Sequence, residues 1–259
     1  MTTESARAAI VTGGASGIGL ATVERLVAAG WKVGALDRDT AALAKLPSAH
    51  GDKVRIATLD VTDESATDAA VKEMASAFGR LDGVVNSAGI GLDRPALDTS
   101  VAEFRKVLDI NVTGTFLVSR AAARIMRDQE RGSQDSCAIV NLASIAGLRG
   151  SKGRVAYGAS KGAVINLTQV MAVDLARCGI RVNAVAPGPV DTPLVQSVHT
   201  PEVRRAYAHH TPMRRYAAAA EIAAAIVFLL DGAQSSYITG AILPVDGGFA
   251  GAGMMEIEV

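Results

Sequence analysis

The feature that most constrains this chain is an alternation that runs along its whole length. Short β-branched runs follow one another, separated by longer Ala/Leu-rich amphipathic stretches. Strands are predicted at Ala8–Thr12, Lys32–Asp37, Lys53–Ala57, Gly83–Asn86, Ala138–Ala143, Arg181–Ala186 and Ala241–Val245, with helices near Gly17–Ala29, Asp63–Phe78, Val101–Asp128, Val155–Arg177 and Ala219–Leu230. Strand–helix–strand repetition of this kind gives a parallel sheet covered by helices on both faces. Strands buried on both faces read as nearly continuous apolar runs, as AIVNLA and VNAVA do. The expectation is α/β: one doubly wound domain over residues 1–259 with a seven-stranded, mainly parallel sheet. RDQERGSQDS (127–136) reads as a surface turn. The stretch Pro189 to Tyr216, with four prolines and weak periodicity, reads as a long loop of the lid or binding type.

Charge removes partners. With 26 Lys+Arg against 26 Asp+Glu the net charge is zero, so bulk attraction to nucleic-acid phosphate is not expected. No apolar run approaches the ~20 residues of a membrane span, and the N-terminus lacks a signal-peptide pattern. The reading is a soluble, cytoplasmic protein. Cys137 and Cys178 are expected as reduced thiols, and His50, His199, His209 and His210 show no metal-ligand spacing.

Residues 8–20, AAIVTGGASGIGL, run an apolar strand into Gly13, Gly14, Gly17 and Gly19 and then into a helix. Such a turn lets a pyrophosphate approach the main chain at the helix N-terminus. Eighteen residues past Gly19, Asp37 ends the second strand, placed to accept hydrogen bonds from both ribose hydroxyls of an adenosine. A 2′-phosphate would meet that carboxylate, so NAD is favoured over NADP, although Arg38 could pair with such a phosphate. In YGASK, Tyr157 and Lys161 lie four apart on one helix face, where an ammonium would lower the phenol pKa and make an acid–base group. Ser144 follows the buried strand AIVNLA, where its hydroxyl could hold a substrate oxygen beside Tyr157.

Taken together, TGGASGIG (12–19), LDVTD (59–63), NSAG (86–89), INVTG (110–114), Ser144, YGASK (157–161), PG (187–188) and VDGG (245–248) resemble the short-chain dehydrogenase/reductases, in their compact single-domain branch, over essentially the whole chain. One departure is NSAG where NNAG is commoner. The resemblance implies a Rossmann-type fold and an NAD-dependent enzyme that interconverts a secondary alcohol and a ketone, working as a homotetramer or homodimer. It implies that Tyr157 is the acid or base, that Lys161 lowers its pKa and holds the nicotinamide ribose, that Ser144 polarises the carbonyl, and that Asn111 fixes a water of a proton relay. It also implies cofactor contacts from Gly13, Ser16, Gly17, Ile18 and Gly19 in the turn. Further contacts are implied from Asp60 and Val61 at the adenine, Asn86, Ala88 and Gly89 along the centre, and Pro187, Gly188, Val190 and Thr192 at the nicotinamide end. Two alternatives stay open: an NADPH-linked 3-oxoacyl-acyl-carrier-protein reductase, and a non-catalytic dinucleotide-binding sensor or scaffold.

The substrate is left to the loops. Ile145–Ala156 carries Arg149, Lys152 and Arg154 with no acidic residue, and Pro189–Tyr216 carries Arg204, Arg205, Arg214 and Arg215 against Asp191 and Glu202. Basic loops could draw an anion, and a basic residue at the position of Arg154 contacts the carboxylate in the resembling 3-hydroxybutyrate dehydrogenases. Solvated surface arginines are the competing reading. Simple alcohols, polyols and hydroxy acids therefore remain open. Pro193, Leu194, Val195 and Val198 suggest an apolar lid, with Leu194 at the substrate. The helix at 155–177 is too apolar for one solvated face, which fits a subunit interface, and the tail FAGAGMMEIEV ends in apolar residues suited to packing on a neighbour.

Overall fold

A computed structural model describes residues 6–46, 50–130 and 137–253. Most of the polar stretch 127–136 and the tail beyond residue 253 lie outside these residues. In chain order the elements are β1 (Ala8–Thr12), α1 (Gly17–Ala28), β2 (Lys32–Asp37), α2 (Thr40–Leu43), β3 (Val54–Thr58), α3 (Glu64–Phe78), β4 (Gly83–Asn86), α4 (Val101–Leu108), α5 (Gly114–Asp128) and β5 (Cys137–Leu142). There follow α6 (Val155–Leu175), β6 (Ile180–Pro187), β7 (Val190–Asp191), α7 (Pro193–Val198), α8 (Pro201–His210), β8 (Ala217–Ala218), α9 (Ala219–Leu230), α10 (Gly232–Ser235) and β9 (Ile242–Val245).

Seven strands form one sheet in the order β3-β2-β1-β4-β5-β6-β9, every ladder parallel. The side-chain period of two sorts each strand between two cores. Ala8 and Ile10 face one core with Val71 and Met74 of α3, Ala122 of α5 and Met171 of α6. Ala9 and Val11 face the other with Val23 and Leu26 of α1, Trp31, and Ile222 and Ile226 of α9. After β1 the chain builds outward through β2 and β3, then returns to place β4 on the other side of β1. That reversal opens a crevice at the carboxyl ends of β1 and β4, where an open α/β sheet binds its ligand. The register aligns Thr12 with Asn86, and Asn86 with Asn141, along that edge.

Local chemistry sets the element ends. Asp63 caps α3 by accepting from the Ala66 N–H, and Gly79 closes it at φ 77°. Ser100 and Glu103 form a reciprocal capping box at the start of α4. Two expectations need correction. The helix expected over 101–128 is broken by a π-turn at Asp109–Thr113, which separates α4 from α5; apolar periodicity continues through the extra residue and does not reveal it. The segment expected as a loop, 189–216, holds the short strand β7 and the helices α7 and α8. Two of its four prolines are helix starters: Thr192 caps α7 ahead of Pro193 and Thr200 caps α8 ahead of Pro201.

Candidate active site

The glycine turn is shaped by close approach of main chain to main chain. Gly13 (φ +64°) faces the Ala88 N–H, and a Cβ on Gly13 would stand 2.9 Å from it. A Cβ on Gly19 would fall 2.0 Å from the Gly13 carbonyl oxygen, so only glycine lets α1 start there. Gly17 (φ +53°) lies against Thr192, whose methyl would be 3.5 Å from an added Cβ. Thr12 fastens the two strand ends of the crevice: its Oγ1 accepts from the N–H groups of Ser87 and Ala88, each at 3.2 Å. Ser16 is the extended N-cap of α1 with no side-chain cap bond, and Ile18 packs on the core beneath.

Asp37 sits half-buried at the tip of β2, accepting from the Ala15 N–H at 3.1 Å and the Asp39 N–H at 3.1 Å. These bonds aim the carboxylate at the glycine turn and leave further lone pairs on both oxygens. Asp60 is exposed and accepts from Thr62, which with the nearby Arg38 charge holds its pKa below the usual carboxylate value. Val61 is buried against Gly114. Pro187 ends β6, the Gly188 N–H bonds the Val245 carbonyl, Val190 is buried in β7, and Thr192 caps α7. The structure therefore gathers Gly13, Gly17, Gly19, Ala88 and Thr192 around one crevice with Asp37 at its edge. A cradle of missing Cβ atoms and N–H groups beside a strand-tip carboxylate fits a dinucleotide: diphosphate at the turn and ribose hydroxyls at Asp37.

The second half of the site lies on α6 and its neighbours. Tyr157 is half-buried one turn before the buried Lys161. Its hydroxyl lies beside Ser144, whose Oγ accepts from the Ala146 N–H at 3.1 Å. Lys161 Nζ donates to the Leu142 carbonyl at 2.6 Å and lies 5.7 Å from the Tyr157 ring centre. Here the expected pKa direction is corrected. Burial pushes the Tyr157 phenol above its ordinary value, against opposing pulls from Ser144 and the Arg154 charge. Burial also draws Lys161 down to about 8. Desolvation of the phenolate outweighs both of those pulls.

Asn111 sits in the π-turn, fully buried. Its Oδ1 accepts from the Ile90 N–H at 2.8 Å, and its Nδ2 donates to the Ile90 carbonyl and to Ser160 Oγ, both at 3.0 Å. Ser160 donates in turn to the Tyr157 carbonyl at 2.7 Å. Both amide hydrogens are spent, so the Asn111 side chain ties the Gly89–Gly91 loop to α6 and has no N–H left for a water. Gly89 allows this closeness, since its Cβ would stand 3.0 Å from Asn111 Oδ1. Asn86 donates to Ser119 and Asn141, each at 2.8 Å, and Asn141 donates to Thr168 of α6, a polar chain crossing the sheet end.

The reading of Arg154 within a segment that has no acidic partner is also corrected. Arg154 is paired with Asp93 at 2.6 Å and lies over the Tyr157 ring, 5.5 Å from its centre. It also donates to His199 Nε2 at 3.2 Å, and Gly91 leaves it room. Arg204 pairs with Asp191, Arg205 with Glu202 and Arg215 with Glu221. Asp93 is the residue that the segment count missed, because it reaches Arg154 from the loop after β4. An acidic residue just past a strand end that borders the crevice was the available signal. A cavity of about 410 Å³ adjoins this corner, lined among others by Ala146, Leu148, Arg149 and Arg154. The side chains of Leu194 and Val198 lie outside the described residues, so the lid reading of Leu194 rests on sequence alone. Cys137 is buried and Cys178 partly so. Among the described residues no helix is long and apolar enough to cross a membrane, and no three His, Cys, Asp or Glu residues gather as metal ligands.

Comparison with known proteins places these features in context. A family profile described as "Enoyl-(Acyl carrier protein) reductase" matches residues 13–250. The chain is 39% identical over 259 residues to a levodione reductase of Leifsonia aquatica, covering 95% of each chain. It is 41% identical over 251 residues to a 2-(R)-hydroxypropyl-CoM dehydrogenase of Xanthobacter autotrophicus, covering 94% of this chain and 98% of the relative. The crystal structure of a levodione reductase superposes with a TM-score of 0.86 at 37% identity, over 95% of this chain and 98% of that one.

Proposed function

Since the chain belongs to the short-chain dehydrogenase/reductase family and is an oxidoreductase of CH–OH groups that uses a nicotinamide dinucleotide, we propose that it is a single-domain, NAD-dependent enzyme interconverting a neutral secondary alcohol and its ketone. The observation that carries the reading is the Ser144–Tyr157–Lys161 arrangement at the carboxyl edge of the sheet, with Ser144 beside the Tyr157 hydroxyl and Lys161 fixed to the Leu142 carbonyl.

The bound nicotinamide supplies or accepts the hydride. The chain's own residues handle the proton and the orientation. Ser144 holds the substrate oxygen beside the Tyr157 hydroxyl. In reduction Tyr157 Oη gives its proton to that oxygen, and in oxidation it takes the proton back. Burial keeps Tyr157 protonated through neutral pH, which suits the reductive direction, and the Lys161 ammonium stabilises the phenolate left behind. Asn111 keeps the Tyr157 turn and the Gly89–Gly91 loop in register. Asp37 supports NAD over NADP, because a carboxylate already held by two backbone N–H groups would repel a 2′-phosphate, while Arg38 stands exposed to solvent. Arg154 supports a neutral substrate: Asp93 already compensates its charge, which weighs against a hydroxy acid. Tyr157→Phe tests the assignment. Carbonyl-dependent NADH oxidation should fall by about a thousandfold or more while NADH fluorescence still titrates; near-wild-type turnover would refute it.

Self-association is part of the reading. On α6, Val170 is 50% and Val173 78% exposed, and Phe116 on α5 is 38% exposed. This apolar exposure supports a homodimer or homotetramer built across α5 and α6, which sedimentation mass would test.

A further inference from the structure

His199 lies just past α7, and three separate elements meet on its ring. Its Nε2 is 3.2 Å from Arg154 Nη2 at the head of α6, and its Nδ1 is 3.0 Å from the Tyr216 hydroxyl ahead of β8. Its face stacks on Tyr207 of α8, with ring centres 5.1 Å apart and planes 6° from parallel. Tyr216 closes the cluster edge-on to both rings, with Arg204 4.4 Å above its own ring. Three of the chain's four tyrosines thus stand within this corner of the site.

The hydrogen-bond inventory fixes the proton on this imidazole. A guanidinium has only donors, so Nε2 must accept from Arg154 and carry no hydrogen. The ring proton then sits on Nδ1 and points at the Tyr216 oxygen. Resting on the catalytic role of Tyr157 argued above, we propose that His199 is a positioning residue: as the neutral Nδ1–H tautomer it latches the α7–α8 segment to Arg154, and through Arg154 to the ring of Tyr157. The latch opens when Nε2 takes a proton, because an N–H would then face the guanidinium with no acceptor between them.

The charged and titratable groups around His199 are Arg154 and Asp93 from the floor, and Arg204, Tyr207 and Tyr216 from the segment above. Burial and the Arg154 and Arg204 charges hold its pKa below the usual histidine value, and Asp93 opposes them. The latch is therefore closed at neutral pH and opens as pH falls through that lowered value.

The test has two arms. In the first, NADH-linked reduction of a neutral cyclic ketone is followed from pH 5.5 to 8. For the wild-type enzyme KM should rise about tenfold toward the acid end with a smaller change in kcat. His199→Phe, which keeps the stacked ring but offers no acceptor, should have the raised KM at every pH, and His199→Gln should restore a low KM without the acid limb. A His199→Phe profile that keeps the wild-type acid limb overturns the proposal. In the second arm, 15N-histidine NMR reads the tautomer, assigned by the signal that disappears in His199→Gln. An Nδ1–H pattern is expected and an Nε2–H pattern overturns the latch. This arm needs no turnover, so an inactive wild-type enzyme would refute the functional reading and leave the tautomer result to judge the latch. If His199→Phe does not fold, Tyr216→Phe serves in both arms: it removes the Nδ1 partner, and an unchanged His199 spectrum and KM profile would overturn the proposal.

Discussion

The two halves of the site are made of different material. From β1 to Gly89 the crevice is lined by main chain: N–H groups, carbonyls and positions where a Cβ would collide. From Ser144 to Tyr216 it is lined by long side chains that hold one another, Asp93 to Arg154 to His199 to Tyr216. Main chain can approach a ligand only where side chains are absent, so in the first half Gly13 and Gly19 leave no room for a Cβ. In the second half each group has a partner that could be exchanged, which suits a surface that must adapt to one substrate.

That contrast can be broken at graded cost. The severest blow should be Gly19→Ala. Its methyl would stand 2.0 Å from the Gly13 oxygen, so NADH titration and thermal melts should show binding lost and folding impaired. Next is Asp37→Asn, which removes the charge and keeps the shape. The kcat/KM ratio of NADP to NAD should rise about tenfold or more; an unchanged ratio would mean that Arg38, and not Asp37, sets cofactor choice. A milder change is expected from Asp93→Asn in the side-chain half. With the Arg154 charge uncompensated, a ketone bearing a carboxylate should gain several-fold in kcat/KM over its neutral ester, on the order of 1 kcal/mol. Equal effects on both substrates would return Arg154 to a structural role.

The smallest effect is a pH signature. Lys161 is drawn down to about 8 in the folded protein, from an ordinary 10.5. Between those values the unfolded chain binds the proton that the folded one has lost, so this group raises stability as pH climbs from 8 to 10.5. Urea melts of wild type and Lys161→Met should therefore differ by an amount that changes across this window and is steady below it, which would identify the titrating group.

How far the sequence reaches follows the same division. The strand ends at Ala8–Thr12, Lys32–Asp37 and Gly83–Asn86 were readable to the residue, because apolar runs stop where glycine or a polar tip begins. The π-turn at Asn111 was not, since one inserted residue leaves the apolar pattern of 101–128 intact. The helices α7 and α8 are hidden because proline reads as a breaker, although Pro193 and Pro201 each follow a capping threonine. Spacing supplies Tyr157 with the neighbour Lys161 and says nothing about burial, which turns the phenol pKa upward.

By itself the sequence determined the alternating elements, the glycine turn, the acidic tip at Asp37 and the Tyr157–Lys161 pair. All of these rest on interactions a few residues apart, or on residue types that only one backbone geometry permits. The tertiary structure alone decided which charges cancel and which groups are buried. Asp93 and Arg154 are 61 residues apart and His199 lies 45 beyond Arg154. Electrostatics acts through space, so a count along one segment leaves Arg154 unopposed where the fold sets Asp93 against it.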